Sequence, residues 1–572
     1  MNKRIKPILV NPQKTIRQVM VIIDKAPKQN PPAPAGLILV VDKNNTLLGI
    51  ATDGDIRRAV IKNINLNLPI SEIMNKDPFV VENKFSRTEV LSQIYEEIKR
   101  RNIVSKRIDK IIIVNAKKQV EDVVSFFEVW KNSEIKVKEI CVVGLGYVGL
   151  TLALTYADAG FYVVGIESQK EVFDLLTKGQ PHFHEVGIDS LLKYHLNKNF
   201  VVRNKLTTAP SDVYFLCVGT PVEKNKKPNL AYLKKATEQI GGVLKEGDLV
   251  VLRSTVPLGS TRNFVIPILE KLSGLKAGKD FHVAFAPERT AEGKALEELK
   301  TLPQIIGGID KVSAEMAGNL FSLLTSTIVM VDSLEAAELV KLINNTYRDI
   351  TFGFANELAL VCDKLKLDTV KVIEAANKGY ERSNVPLPSP GVGGACLVKD
   401  PYIFIDSLKP YGYQMKFPAL GRQINEQMPK FVADKVFSFL AKNKIDEQKA
   451  KIFIVGFAFK GQPETSDIRN STTLDLLDLL KPKLKNIYGF DPVAQSKDVR
   501  LYGVKTVDPA DGFDQADCVI IMNNHDSYEN WPIYKYLKKT NKPALFLDTW
   551  HLFSKEVVEK IKGITYDGLG ID

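Results

Sequence analysis

The run Pro390-Gly391-Val392-Gly393-Gly394-Ala395-Cys396-Leu397-Val398-Lys399-Asp400 puts a thiol behind flexible glycines, with a cation and a carboxylate within four residues. Such company suits a working nucleophile, since the thiolate is the reactive form and nearby charge governs it. Cys141 and Cys217 lie instead in or beside apolar strand-like runs, where a cysteine is usually packing. The five cysteines, with Cys362 and Cys518, are scattered and odd in number, which suggests neither a disulfide framework nor a Cys-x-x-Cys metal site. Lys341 and Asn345 stand four apart in a helical pattern, and Glu338 and Arg348 extend the same face. Spacing alone leaves a solvated face open for that stripe. The cysteine loop is the reason to read it as part of a site.

A second constellation reads as a dinucleotide site. The apolar run Glu139 to Val143 leads into Gly144-Leu145-Gly146-Tyr147-Val148-Gly149 and then into a helical stretch that stops near Gly160. Gly144 permits a tight turn, Gly146 lets backbone approach a pyrophosphate, and Gly149 lets helix and strand pack closely. Tyr147 and Val148 open the helix whose amino terminus faces the anion. The next strand ends at Glu167, 18 residues past Gly149, where a carboxylate accepts hydrogen bonds from ribose hydroxyls. That charge repels a 2'-phosphate, which favours NAD over NADP. Gly219-Thr220-Pro221 and Ser254-Thr255 follow two further apolar runs and place hydroxyls at the carboxyl edge of the sheet. His182-x-His184 has no third ligand nearby and reads as a loop face, so no metal is expected.

These groups need a scaffold. From residue 138 strands and helices alternate, which predicts a parallel sheet with helices on both faces. A long helix is predicted from about Leu334 to Leu365, with Ala336, Leu339, Val340, Ile343, Tyr347, Ile350 and Phe354 forming one buried stripe. A second strand-helix alternation starts at Lys451 and reads as another nucleotide-binding type of domain. The chain has 572 residues, 45% apolar and 25% charged, a composition that suits several full-sized globular domains and excludes disorder and fibres. No apolar run approaches the roughly 18 to 20 residues of a membrane helix, and Met1 to Val10 is too short in apolar residues for a secretory signal. A cytoplasmic protein without a membrane part is expected.

The front of the chain is different. Residues 1–136 hold 24 Lys and Arg against 15 Asp and Glu, which accounts for most of the net charge of +11. The cations are interspersed with acids and no zinc-finger or aromatic RNA-reading motif occurs, so nucleic acid is not an expected partner. A weak repeat is visible: a shift of 73 residues lays Ser125 over Thr52 and Glu128 over Asp55, which suggests two copies of one small unit. Gly49-Ile-Ala-Thr52-Asp-Gly-Asp55-Ile-Arg-Arg58 resembles a tandem pair of cystathionine-beta-synthase (CBS) domains. The resemblance implies that Thr52 and Asp55 hold the phosphate and ribose of an adenine nucleotide, while Asp122 in place of Gly49 weakens the second copy. An adapter without ligand is the alternative.

From residue 138 the motifs resemble the UDP-glucose/GDP-mannose dehydrogenase family. They are the Gly144 fingerprint, Val218-Gly-Thr-Pro221, Ser254-Thr-Val-Pro257, Pro287-Glu288-Arg-Thr-Ala-Glu292-Gly293, Lys341 with Asn345, the Cys396 run, and Gly456-Phe-Ala-Phe459-Lys460 through Asp467-Ile-Arg469. The resemblance implies two Rossmann-like doubly wound α/β domains joined by a long central helix and preceded by an α+β CBS pair. The expected divisions are 1–130, a linker at 131–137, an NAD domain at 138–332, a helical dimerisation region at 333–445 and a UDP-sugar domain at 446–572. It implies NAD-dependent oxidation of the C6 alcohol of a nucleotide sugar to a carboxylate, with a homodimer or higher oligomer. Cys396 would form the covalent intermediates, Lys341 and Asn345 would stabilise the oxyanion, and Glu288 would be the hydrolytic base with Thr255 and Asp400 positioning water. Glu292 and Lys399 would sit beside nicotinamide and sugar, Arg469 would reach the cofactor, and Gly393, Gly394, Phe459 and Lys460 would line the sugar-nucleotide side. Details of the Pro287 and Pro388 segments lean toward a UDP-N-acetylhexosamine. UDP-glucose or GDP-mannose oxidation, a single-step alcohol dehydrogenase, and a nucleotide-sensing regulator with an idle body remain as alternatives.

Overall fold

The computed structural model describes residues 3–26, 33–34, 36–62, 64–78, 80–82, 110–125, 139–206, 211–223, 225–382 and 384–571. Two compact units divide the chain, Met1–Val137 and Lys138–Asp572.

The front unit is built twice over. Strands β1 (Leu9–Val10), β2 (Leu37–Val41) and β3 (Leu47–Thr52) form one sheet in that order, with helices α1 (Ile16–Lys25) and α2 (Asp53–Ile61). Strands β4 (Val80–Glu82), β5 (Lys110–Val114) and β6 (Val120–Ser125) form another in the same order. Each begins with a parallel pair and ends with an antiparallel hairpin. Leu37 pairs with Thr52 and Lys110 with Ser125, and the register breaks after Val40 in one hairpin and after Ile113 in the other. The 73-residue offset thus holds pair by pair through the two hairpins. The hairpin tips exchange bonds: Leu47 N donates to Lys118 O at 3.1 Å and Val120 N to Asn45 O at 3.0 Å. Asn45 and Lys118 both have positive φ, 61° and 58°. One core serves both halves, since Ile38 and Val40 cluster with Ile112, Val114, Val120 and Val123. Glu128, the proposed counterpart of Asp55, lies outside the described residues.

In the second unit an eight-stranded sheet runs β14-β13-β12-β11-β10-β7-β8-β9. Its strands are β7 (Glu139–Val143), β8 (Tyr162–Ile166), β9 (Phe200–Arg203), β10 (Val213–Leu216), β11 (Leu249–Leu252), β12 (His282–Phe285), β13 (Gln304–Gly308) and β14 (Ile328–Val331). Only the β12–β13 pair is antiparallel. Runs such as Val-Tyr-Phe-Leu in β10 and Leu-Val-Val-Leu in β11 are wholly buried, as strands covered by helices on both faces must be. Helix α3 (Tyr147–Asp158) follows β7 directly. A second, all-parallel sheet of six strands runs β17-β16-β15-β18-β19-β20, from β15 (Lys451–Val455) and β16 (Asn486–Phe490) through β17 (Lys505–Thr506), β18 (Cys518–Ile521) and β19 (Ala544–Asp548) to β20 (Ile564–Gly568).

Between the sheets lie α4 (Leu334–Leu365), α5 (Asp400–Ser407) and α6 (Phe417–Lys442). Ser333 caps α4 by accepting from Ala336 N at 3.1 Å, and Lys366 ends it in the left-handed region. The expected limits hold, but the expected inside face holds only in part: Leu339 and Val340 pack half-buried against the core, while the rest of the stripe turns outward at three positions. Ile343, Tyr347 and Phe354 are 46%, 66% and 52% exposed, whereas Glu338, Lys341 and Asn345 are 1%, 8% and 7% exposed. The helical repeat keeps the two stripes apart, and the polar one is inside because bonded partners receive it. Helices α4 and α6 cross where Gly353 meets Gly421: a Cβ on Gly353 would lie 2.9 Å from Gly421 Cα. Among the described residues no helix is long and apolar enough to cross a membrane.

Candidate active site

The turn after β7 has the geometry a dinucleotide requires. Gly144 has φ +91°, a Cβ on Gly149 would fall 1.8 Å from Gly144 O, and the space beside Gly146 is open to 4 Å. Glu167, buried at the end of β8, accepts from Leu145 N at 3.1 Å and Gln169 N at 2.8 Å. Its carboxylate therefore stands beside the turn with an orientation fixed by backbone amides. The Gly219–Pro221 and Ser254–Thr255 loops are tied together, as Thr220 Oγ1 donates to Thr255 O and Ser254 Oγ to Val218 O at 2.6 Å. Those two hydroxyl protons hold loops rather than point free. Tyr147 donates to Glu185 and, at 3.2 Å, to Ala291 O, which fastens the start of α3 to the segment carrying Glu292; Val148 beside it is half-buried. These residues fit a bound NAD.

The buried face of α4 and the start of α5 make a second cluster. Asp400, wholly buried, accepts from Asn345 Nδ2 at 2.5 Å and Lys399 Nζ at 2.6 Å. The Cys396 carbonyl accepts from Asp400 N at 2.9 Å and Lys399 N at 3.1 Å, so the cysteine forms the turn that starts α5. Cys396 keeps a surface open to solvent while protein crowds its other side. Crowding and the Asp400 charge push its thiol up; Lys341 and Lys399 pull it down, and Glu292 opposes them. Lys399 is held above its usual value because Asp400 and Cys396 outweigh burial. Four of the predicted residues, Asp400, Lys341, Lys399 and Glu292, thus act on one sulfur.

Glu288 is held differently. Burial alone would raise its carboxyl, but the Arg253 guanidinium, the amide of Thr290 and the charge of Lys341 bring it below the usual range. Arg253 bonds to one carboxylate oxygen, and the amides of Arg289 and Thr290 donate to the other at 2.7 and 2.8 Å. Arg253 itself is 2% exposed, donates to Gln304 Oε1 at 3.1 Å and lies 4.9 Å from the Phe321 ring centre. It closes the apolar run of β11, and a cation in that position was the available signal for it. Burial, then Asp467, raises Glu292 to about 7. Glu338 donates nothing to the cluster; it accepts from Gly259 N, Thr261 N and Thr261 Oγ1 and so anchors α4.

The second sheet contributes the far wall. Lys460 Nζ donates to Glu292 O at 2.8 Å, Thr465 Oγ1 to Glu292 Oε2 at 3.3 Å, and Arg469 pairs with Asp467 at 2.6 Å. A Cβ on Gly394, at φ +94°, would lie 2.7 Å from the Phe459 ring, and one on Gly393 2.6 Å from Asn470 O. Only glycine lets this loop pack so closely. His182-x-His184 is no open loop face: His184 Nε2 lies 3.2 Å from Glu464, whose other oxygen is 3.2 Å from His525 Nε2. A cavity of about 950 Å³, lined among others by Thr220, Pro221, Lys399, Tyr402 and Arg469, runs between the Gly219–Pro221 loop and the cysteine loop.

A glycine turn shaped for a dinucleotide, a thiol under the charges of two lysines and two carboxylates, and a second α/β sheet in the same compact unit together define an NAD-linked oxidoreductase. Three models of one family match the second unit: the NAD binding domain at 138–325, the central domain at 335–427 and the UDP binding domain at 453–555. The chain belongs to the UDP-glucose/GDP-mannose dehydrogenase family and is an NAD-dependent nucleotide-sugar dehydrogenase. A CBS domain model matches residues 1–62. The chain is similar to UDP-N-acetyl-D-mannosamine dehydrogenase of Pyrococcus horikoshii, with 33% identity over 435 residues, 75% of this chain and 99% of that protein. The solved structure of the UDP-D-ManNAc dehydrogenase from that organism superposes with a TM-score of 0.69 at 32% identity, covering 76% of this chain and 99% of the other. A UDP-glucose dehydrogenase from Pyrobaculum islandicum gives 0.67 at 27% identity, covering 76% and 98%.

Proposed function

We propose that the enzyme oxidises the C6 hydroxymethyl of a UDP-N-acetylhexosamine, of the UDP-N-acetylmannosamine type, to a carboxylate through a covalent bond to Cys396. The observation that carries this reading is the bonded set at the Cys396 turn, where the amides of Lys399 and Asp400 donate to the Cys396 carbonyl and the buried Asp400 carboxylate accepts from Asn345 and Lys399. NAD, held by Gly144, Gly146, Gly149, Glu167 and the Thr220 and Ser254 loops, supplies a hydride acceptor for each of two oxidations. After the first, the Cys396 sulfur adds to the aldehyde carbon, and the thiol proton ends on the former carbonyl oxygen. Lys341 and Asn345 stabilise charge on that oxygen, a role of large effect in a site from which water is excluded. The second oxidation leaves a thioester. Water, positioned by Thr255 and Asp400 and deprotonated with Glu288 as base, adds to it; the carbon–sulfur bond breaks and the thiolate leaves. Glu292, Lys460 and Phe459 border the sugar-nucleotide side, and Arg469 the cofactor.

The exposed stripe Ile343, Tyr347 and Phe354 supports assembly as a homodimer along α4. At the front unit, Thr52 and Asp55 are the expected contacts for an adenine nucleotide. They bond each other, Thr52 Oγ1 to Asp55 Oδ2 at 2.7 Å, and Arg58 joins at 2.5 Å, so the loop is ordered before any ligand arrives. The names of the relatives support the substrate reading. A panel of nucleotide sugars assayed by NADH absorbance tests it: the right sugar yields two NADH per molecule, and Cys396→Ala abolishes the second reduction. One NADH per sugar with free aldehyde in the native enzyme refutes the covalent route.

A further inference from the structure

We infer that Asp349, Arg422, Asn425, Asn356 and Ser389 form a positioning network that sets the Cys396 loop against the Lys341–Asn345 face of α4. Asp349 lies one turn beyond Asn345 on that buried face, and Asn356 two turns further. Both are wholly buried, and Arg422 and Asn425 on α6 are 2% and 1% exposed.

The bonds tie the helix pair to the loop. Arg422 Nη1 donates to Asp349 Oδ1 at 2.7 Å and to Val392 O at 3.4 Å. Asn425 Nδ2 donates to Asp349 O and Oδ1, both at 2.9 Å. Asn356 Nδ2 donates to Asn425 Oδ1 at 2.8 Å, and Asn356 Oδ1 accepts from Ser389 N at 2.8 Å. Ser389 Oγ then donates to Gly391 O at 2.8 Å. The loop is also clamped sterically: a Cβ on Gly391, at φ +102°, would lie 2.8 Å from Asn425 O. Two turns of the network thus hold residues 389, 391 and 392, and the thiol follows four residues later.

A buried ion pair is a poor device for stability, because desolvating both charges offsets their attraction. Its use is geometric. The same helix carries Lys341, Asn345, Asp349 and Asn356, so the network measures the thiol's place from the element that carries the oxyanion donors. A displacement of about 1 Å in such a site costs on the order of 100-fold in rate.

The inference rests on the covalent reading of Cys396, and the experiment separates the two. Full-length enzyme is compared with Asp349→Leu/Arg422→Met, Ser389→Ala and Cys396→Ala. Melting temperature, kcat, KM for NAD and NADH formed per sugar are read for each, and the pH profile of iodoacetamide alkylation of Cys396 for each protein that keeps that thiol. The double variant replaces the ion pair by apolar groups, so it is expected to melt close to the native enzyme. Its kcat is expected to fall about 100-fold with KM for NAD nearly unchanged. NADH per sugar is expected to drop from two toward one, and the alkylation profile to move as the thiol leaves the lysines. Ser389→Ala, which removes one bond with little change of volume, is expected to show the same pattern at about 10-fold. Native kcat, stoichiometry and alkylation profile in a folded double variant overturn the inference; if that variant does not fold, the same result in Ser389→Ala overturns it. Two NADH per sugar from Cys396→Ala removes the covalent reading instead, and the alkylation profile alone then decides whether the network places the thiol.

Discussion

Replacing Arg253 by Met should unbalance the NAD domain in a pH-dependent way. The substitution removes the guanidinium from Glu288, a carboxylate only 6% exposed, and deprives Gln304 of its donor. Leaving one charge of a buried pair uncompensated costs about 3 to 5 kcal/mol. The lower end applies here, because the amides of Arg289 and Thr290 still serve the other oxygen. About 3 kcal/mol in a domain of this size lowers the melting temperature by roughly 6 to 12 °C. In the native chain the depressed Glu288 contributes stability above the unfolded carboxyl value of about 4.3, and loses it as pH falls through its lower folded value. In the variant, burial without the guanidinium raises that carboxyl. The deficit is then greatest at pH 8 and shrinks as acid protonates the group. Differential scanning calorimetry of both proteins between pH 8 and 5.5 reads the effect, and Arg253→Met/Glu288→Leu should recover most of the loss. A deficit that does not change with pH, or one below about 1 kcal/mol, refutes the account of the pair.

Asn345→Ala removes the 2.5 Å bond to buried Asp400 and should cost about 1.5 to 3 kcal/mol of stability by thermal melting, together with a large fall in kcat. Tyr347→Glu with Phe354→Glu places charges on the exposed apolar stripe of α4 and should convert a dimer to a monomer in sedimentation velocity. Thr52→Ala deletes the N-cap of α2, which should cost the front unit about 1 kcal/mol and, in calorimetry, weaken binding of an adenine nucleotide.

The dinucleotide turn, the limits of α4 and the doubled front unit were all legible in the sequence. Each rests on a local signal: glycine spacing, a run of helical periodicity, or two segments of like pattern at fixed separation. Strand pairing then repeats that separation residue for residue. The inside face of α4 was legible only in part. A rule that turns apolar residues inward fails when Asn345 and Glu338 have bonded partners inside, and when Tyr347 and Phe354 lie more than half exposed. Arg253 and Arg422 were missed for a related reason. Their carboxylates lie 35 and 73 residues away in sequence, and only the folded chain brings them together.

The crossed bonds at the two front hairpin tips have a consequence for how that unit comes apart. Each tip lends an amide and a carbonyl to its twin, and the apolar strand residues of one half close over those of the other. Severing the chain after residue 62 would therefore leave a greasy surface bare rather than a smaller, self-sufficient module. Loosening either half must loosen both together. A small molecule gripped by only one of them would stiffen the pair, so a single occupied seat is enough to be felt throughout.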